Sequence, residues 1–376
     1  MTTIKRTSTI DAEHGVICDY RNDFFGYFAW PSIAKADDGA LYVAASGLRN
    51  RHVGPYGRNV LFTSTDEGRN WSSPRVVNDS PLDDRDTGIV CFPGSNRMLI
   101  SWFAPVFRRL TSRQDIGDEG GRLRPGLSCI TDKEVAACFG SWVKVSEDGG
   151  LTWSNPIRSR LTAPHGPILL ADGSLLYFGK VFTENPKEFG SGAGAIQAAR
   201  STDNGYTWEA LGTVPLIDGT SEENYHEPHI VELEDGKLVG LIRVQNRGEE
   251  HSVEAVGIPT FSLAQTVSTD GGRTFSRAES LGFHGSPPHL LRHSSGALVA
   301  VYGYRLQPYG QRAAISTDGG STWEYDYILR DDGPDHDLGY PASVELADGS
   351  ILTIYYQKIG TAAEQCSLLW TRWRLP

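Results

Sequence analysis

Two stretches of the chain carry polar groups where a buried strand has no use for them. "EPHIVELEDGKLVGLIR" runs from Glu227 to Arg243, and "YPASVELADGSILTIYY" begins at Tyr340. Each reads as an apolar strand, a tight turn and a second apolar strand. Aligning the turn glycines, Gly236 and Gly349, puts Glu227 and Tyr340 in the same slot. A carboxylate and a guanidinium on one hairpin, with a phenol at the matching place on another, suit a site for a polar ligand better than they suit packing. Other hairpins put Trp30, Asp86 and His165 at or beside that slot, and His226 adjoins Glu227. Trp30 offers either a face on which a ring can stack or a core side chain. In the loop "GLRNRHVGPYGRN", His52 is the side chain whose ordinary pKa suits proton transfer at neutral pH, and Arg49, Arg51 and Arg58 surround it with positive charge.

The elements that must position these groups come from two interleaved repeats. The pattern S-x-D-x-G-x-x-[W/F] occurs five times, as "STDEGRNW", "SEDGGLTW", "STDNGYTW", "STDGGRTF" and "STDGGSTW". It has a mechanical reading: Ser and Asp cap turn N–H groups, Gly takes a positive φ, and the aromatic packs into the neighbouring unit. Asp66, Asp148, Asp203, Asp270 and Asp318 are therefore expected to hold turns and not to catalyse. The second repeat is the apolar hairpin, present six times, beginning with "WPSIAKADDGALYVAAS" and ending with "YPASVELADGSILTIYY". Two inner and two outer strands per unit make a four-stranded blade, so the fold class is all-β, a six-bladed β-propeller over residues 1–376 as one domain. The last copy is followed only by "CSLLWTRWRL". The N-terminal segment "STIDAEHGVICDY" is expected to supply the missing outer strand and close the ring. Leu110 to Gly140 and Asn246 to Pro259 break the repeat and read as loops over one face, the first with the polar, glycine-rich composition of a lid.

Composition agrees with many short strands and tight turns: 42 glycines, 20 prolines and nine tryptophans, with only two methionines. A net charge of −11 argues against nucleic acid or an anionic membrane surface as partner. The start of the chain lacks the apolar core of a secretion signal, and there is no apolar run long enough to span a bilayer, which predicts a cytoplasmic protein. Five scattered cysteines suggest reduced thiols. His226 and His229 in "HEPH" fall on opposite faces of a strand, so no metal site is expected.

Repeated Asp-boxes on six blades resemble the sialidase (neuraminidase) superfamily, and the likeness covers essentially the whole chain. The resemblance implies a tyrosine nucleophile paired with a glutamate, matched by Tyr340 and Glu227, and an arginine cluster gripping a substrate carboxylate, matched by Arg243 and by Arg312 in "GQRAAISTDGG". A neutral phenol would avoid the like-charge repulsion that a carboxylate nucleophile meets at an anomeric carbon bearing a carboxylate. The family's first arginine is absent: Ala29 of "FAWPSI" stands in its place. Its aspartate acid/base is also missing before Ser64. His52 is the expected substitute acid, with Asp86, the nearest rim carboxylate, as the other choice. Arg49, His165 and Trp30 are the remaining expected substrate contacts.

The reading is thus an exo-acting, retaining glycosidase of sialidase type, without cofactor, acting on a terminal acidic sugar of an oligosaccharide or glycoside. Two alternatives stay open: a uronate-directed glycosidase or polysaccharide lyase on the same scaffold, with Tyr340 and His52 or His165 moving protons, and a glycan-binding propeller that has lost catalysis. No Rossmann fingerprint, P-loop, GxSxG or HExxH occurs, so redox, phosphoryl-transfer, serine-hydrolase and zincin readings lack support.

Overall fold

A computed structural model describes residues 1–106, 129–182, 194–248, 250–361 and 363–376. Its strands form six separate sheets arranged as the blades of a propeller. Blade 1 runs outward from Tyr27–Lys35 through Leu41–Arg49 and Arg58–Ser64 to Arg75–Asn78. Blades 2 and 4 repeat that meander, with Arg85–Cys91 and Tyr225–Glu232 as their innermost strands. In blade 3 the inner position is divided between Leu161–Thr162 and Ile168–Leu169, which both pair with Leu175–Val181. Blades 5 and 6 start at Pro288–Arg292 and Gly339–Glu345.

The N-terminal segment closes the ring. Ala12–Cys18 pairs antiparallel with Ser367–Trp373 as the outermost strand of blade 6, from Ala12↔Trp373 to Cys18↔Leu368. The preceding strand, Thr2–Thr9, goes further than the sequence suggested. It adds in parallel to Thr322–Gly333, giving blade 5 a fifth strand. One segment therefore clamps two adjacent blades and covers two sheet edges.

The five boxes work as turn clamps. In the first, Ser64 Oγ donates to Asp66 and accepts from Gly68 N–H at 2.9 Å, and Asp66 accepts from Asn70 N–H at 2.9 Å. The bonds from the Asn70 backbone and side chain bring the Asp66 carboxyl down to about 2. The glycine takes φ +85°, where any Cβ would be strained and would also strike Leu352 of the neighbouring blade 6. The box aromatics tie blade to blade: Trp323 donates to Gln265 at 2.7 Å, and Phe275 lies 5.3 Å from Phe178, ring to ring. Each blade interface thereby has its own apolar core, which is how a long chain avoids one oversized interior.

Of the two loops that interrupt the repeat, the segment expected to act as a lid lies outside the described residues up to position 128. Its remainder holds the helix Asp132–Cys138, closed by a Thr131/Glu134 capping box. The second loop is packed: Val253 and Ile258 are buried, and Asn246 accepts from Val253 N–H at 2.8 Å.

Deleting residues 1–18 removes the outer strand of blade 6 together with the extra strand of blade 5. Thermal unfolding followed by circular dichroism is expected to lose its cooperative transition; a truncated chain that melts like the parent would refute the clamp.

Candidate active site

The innermost strands share a backbone device at their first residues. Trp30, Asp86, Glu227 and Tyr340, the heads of blades 1, 2, 4 and 6, all have φ between +45° and +52°. Each lies within a register shift: Ala29/Ser32, Arg85/Gly88, His226/His229 and Gly339/Ala342. These are β-bulges with a left-handed, non-glycine residue, a conformation that costs about 1–3 kcal/mol and turns a side chain out of the strand's alternation. All four aim into one space at the mouth of the central tunnel.

There Tyr340 Oη donates to Glu227 Oε1, and Arg243 Nη1 donates to Glu227 Oε2 and lies 3.4 Å from Tyr340 Oη. Glu227 and Arg243 come together because His226 pairs with Arg243 across one hairpin, and blade 6 delivers the phenol. Burial pushes the Glu227 carboxyl up, but Arg243 outweighs it, helped by the Tyr340 hydroxyl, so the group stays ionised below the usual glutamate range. Burial, reinforced by Glu227, holds the Tyr340 phenol well above its ordinary value. The pair is therefore a neutral phenol hydrogen-bonded to a carboxylate that can take its proton.

Asp86 is buried beside this group, and its Oδ1 has no hydrogen-bond partner. Burial pushes its carboxyl up to about 7; Arg85 opposes the shift and Glu227 adds to it. A carboxylic acid poised near neutrality next to an ionised one is the arrangement that separates acid and base roles. His52 stands on the other flank. Its Nδ1 lies 2.8 Å from Asp337 and 2.9 Å from Tyr27 Oη, and its ring meets Trp30 edge to face at 5.1 Å. Burial lowers the His52 pKa, and Asp337 only partly restores it. With Nδ1–H given to Asp337, Nε2 is an acceptor at neutral pH, which suits a base better than an acid.

Four expected contacts are taken up by packing within the protein. Arg312 lies on the third strand of blade 5, donates to the carbonyls of Arg330 at 2.7 Å and Pro308 at 3.2 Å, and stacks on Tyr304. Arg49 is fully buried, in a two-pronged ion pair with Asp83. Trp30 is 1% exposed, with the guanidinium groups of Arg85 and Arg49 at 3.9 and 4.8 Å from its ring centre, so it has no free face for a sugar. His165 lies deeper in the tunnel with His229 and His289 at ring separations of 5.7 and 5.0 Å, its Nδ1 2.8 Å from Ser32 Oγ.

Two arginines reach the cluster without having been singled out by the sequence. Arg305 donates to Leu338 O at 3.0 Å and lies over the Tyr340 ring, and its Nε is buried without a partner. Arg85 is held by Asp83 and the His52 carbonyl. The signal for Arg305 was its place just past the blade 5 return strand Leu298–Tyr304, near the level at which Arg243 closes that of blade 4. Among the described residues there is no cluster of His, Cys, Asp and Glu able to hold a metal ion.

The tunnel histidines carry a pH prediction. Burial brings His229 down to about 3 and leaves His165 and His289 well below their ordinary value. The unfolded chain, with imidazoles near 6.5, binds more protons than the folded one below that pH, so stability is fully present above about pH 6.5 and falls as pH drops. Each group adds a slope of up to about 1.4 kcal/mol per pH unit. Melting temperature should decline from pH 6.5 to 5 and do so less steeply in His229→Asn; a flat parent profile would contradict the assignment.

A family model described as a BNR repeat-like domain matches residues 127–353. A sialidase of Micromonospora viridifaciens is 23% identical over 92% of this chain, which spans only 52% of that relative's length. Among solved structures, a Dyadobacter fermentans protein of unknown function superposes over 97% of this chain and 98% of its own, with a TM-score of 0.73 at 22% identity. A Hadza microbial sialidase gives 0.63 at 16% identity, over 96% of this chain and 68% of the other. Trypanosoma rangeli sialidase in complex with sialic acid gives 0.61 at 14%, over 97% and 60%. At these identities the structural likeness speaks for the fold alone.

Proposed function

Because this chain belongs to the BNR repeat-like domain family, we propose that its tunnel mouth is the active site of an exo-acting, retaining glycoside hydrolase of sialidase type that removes a terminal acidic sugar without a metal. The observation that carries the reading is the Tyr340–Glu227–Arg243 hydrogen-bonded group, assembled from two blades that are distant in sequence. The alignment of 92% of the chain with about half the length of a sialidase supports it.

In the first half-reaction Tyr340 Oη bonds to the anomeric carbon as the bond to the leaving oxygen breaks. The phenolic proton passes to Glu227, and Asp86 protonates the leaving oxygen. Water then attacks the tyrosyl intermediate, Asp86 takes its proton, and Glu227 returns one to the phenol. A strongly basic free phenolate is never needed, because the proton leaves as the new bond forms. Arg243 and Arg305 hold the substrate carboxylate through charge-assisted bonds, and Arg85 adds positive charge from blade 2 where the family's first arginine is missing. Asp86 takes the acid role ahead of His52 because it holds a proton near neutrality, whereas the His52 Nε2 does not.

Tyr340→Phe and Glu227→Gln should each lower kcat on a chromogenic acidic glycoside by about 10²–10⁴-fold. In the parent, kcat/KM should fall as pH rises through about 7, where Asp86 loses its proton. Asp86→Asn should lose both that limb and about 10²–10⁴-fold in rate, whereas His52→Ala should keep the limb. Persistence of the limb in Asp86→Asn would remove Asp86 as donor. A chelator should leave the rate unchanged, and an ultraviolet-absorbing unsaturated product would point to elimination instead of hydrolysis.

A further inference from the structure

The inner strands have a second end, at Lys35, Glu232 and Arg292, where the tunnel opens on the face opposite the candidate site. Between the two ends stands a plug of three imidazoles. His229 and His289 stack at 4.2 Å, and His165 meets both edge to face. The turn behind His165 is pressed so closely against blade 2 that a Cβ on Gly88 would come within 2.4 Å of Gly166 N. Beyond the plug lies a funnel of about 1120 Å³, and Asp86, Glu227, Arg243 and Tyr340 are not among its walls. His229 and His289 form its apex, Val90, Leu169, Val231 and Leu291 its sides, and Lys35, Arg97 and Arg292 with Glu232 and Glu234 its charged rim. About 10 Å of strand separates His229 from Glu232.

The fold fixes where the apex protons sit. His229 Nδ1 accepts from Leu290 N–H at 3.0 Å and His289 Nδ1 from Ser343 N–H at 3.4 Å, each on the inner strand of the next blade. A backbone N–H only donates, so both Nδ1 atoms are bare and both protons are on Nε2. His165 Nε2 is sealed in the plug, whereas the Nε2–H groups of His229 and His289 make no bond within the protein and keep surface toward the funnel. Burial alone holds His229 uncharged, and burial with the neighbouring imidazoles does the same for His289. The apex therefore offers donors, the sides are apolar, and the rim sets three cations against two carboxylates in a chain whose net charge is −11. The complement is a head that accepts hydrogen bonds, carried on an apolar body. We propose that the funnel binds a monocarboxylate with a compact apolar body, an arylalkyl or branched-chain acid, whose two oxygens accept from His229 and His289 Nε2–H while its hydrocarbon lies against Val90, Leu169, Val231 and Leu291. The site stands apart from the hydrolase reading and does not depend on it. A carboxylate among uncharged donors lacks a counter-charge, so the acid enters with one proton, held between its oxygens and the imidazoles. The complex then holds one more proton than the separate partners, and affinity rises as pH falls, by up to about tenfold per pH unit.

The test is calorimetric titration of the full chain with phenylbutyrate, phenylbutanol and acetate. The phenyl acid should bind, the alcohol about tenfold or more weakly, and acetate not measurably. Affinity for the acid should be about tenfold higher at pH 6.5 than at pH 7.5. His289→Phe keeps a ring in the plug and removes a donor, and should lower that affinity about tenfold or more; Arg243→Lys, at the other mouth, should change it about twofold or less. Equal affinity for acid and alcohol, an affinity that ignores pH, or loss in Arg243→Lys with retention in His289→Phe would overturn the site. Should His289→Phe not fold, long-range proton–nitrogen spectra of the parent's imidazoles decide the matter. The acid should then shift the Nε2 signals of His229 and His289; signals unmoved at saturating acid, or no heat with any of the three probes, would reject the funnel as an acid site.

Discussion

A left-handed residue at the head of an inner strand is the constraint from which the site follows. In a regular strand, side chains alternate between faces, and the inner strand of a blade is covered on both. A bulge breaks that alternation once, at the tunnel mouth, and lets a side chain leave the sandwich of neighbouring blades. Repeating the bulge in four blades places Trp30, Asp86, Glu227 and Tyr340 around one space. The strain is local, and the blade cores on either side hold it in place.

That geometry explains the division of charge in the tunnel. Near the mouth, buried carboxylates and guanidinium groups are matched closely enough for Glu227 to stay ionised while Asp86, only a blade or two away, is pushed toward neutrality. Deeper in, His165, His229 and His289 meet no carboxylate of their own and are held uncharged by burial alone for His229 and by burial plus one another for the other two. The stretch of the axis that these histidines line is thereby kept free of charge.

The fold was legible because its marks are local: a box that must make its own turn writes Ser, Asp and Gly at fixed offsets, and a doubly covered hairpin writes apolar runs around a turn glycine. Glu227 and Tyr340 could be located because the repeat supplies a coordinate along each blade. The arginines could not be sorted that way. Arg312 lies on one strand of blade 5 and Arg305 just past the end of the strand before it, and which of them faces the axis depends on side-chain direction and on neighbours such as Asp326 and Leu338. Arg49 was out of reach for the same reason, since its partner Asp83 comes from the linker to the next blade. Trp30 occupies the right slot, but two guanidinium groups from other segments cover it. Long-range pairing decided each of these, and a single sequence carries no record of it.

The strand that fastens blade 6 also sets a schedule for the molecule's making. Ala12–Cys18 leaves the ribosome before blades 1 to 5 are made, whereas its partner Ser367–Trp373 leaves only after them. Until then this ribbon has bare backbone groups on offer, and Thr2–Thr9 likewise waits for blade 5 to supply its partner Thr322–Gly333. A nascent chain in that condition is open to mispairing with its neighbours on a polysome until Ser367–Trp373 arrives.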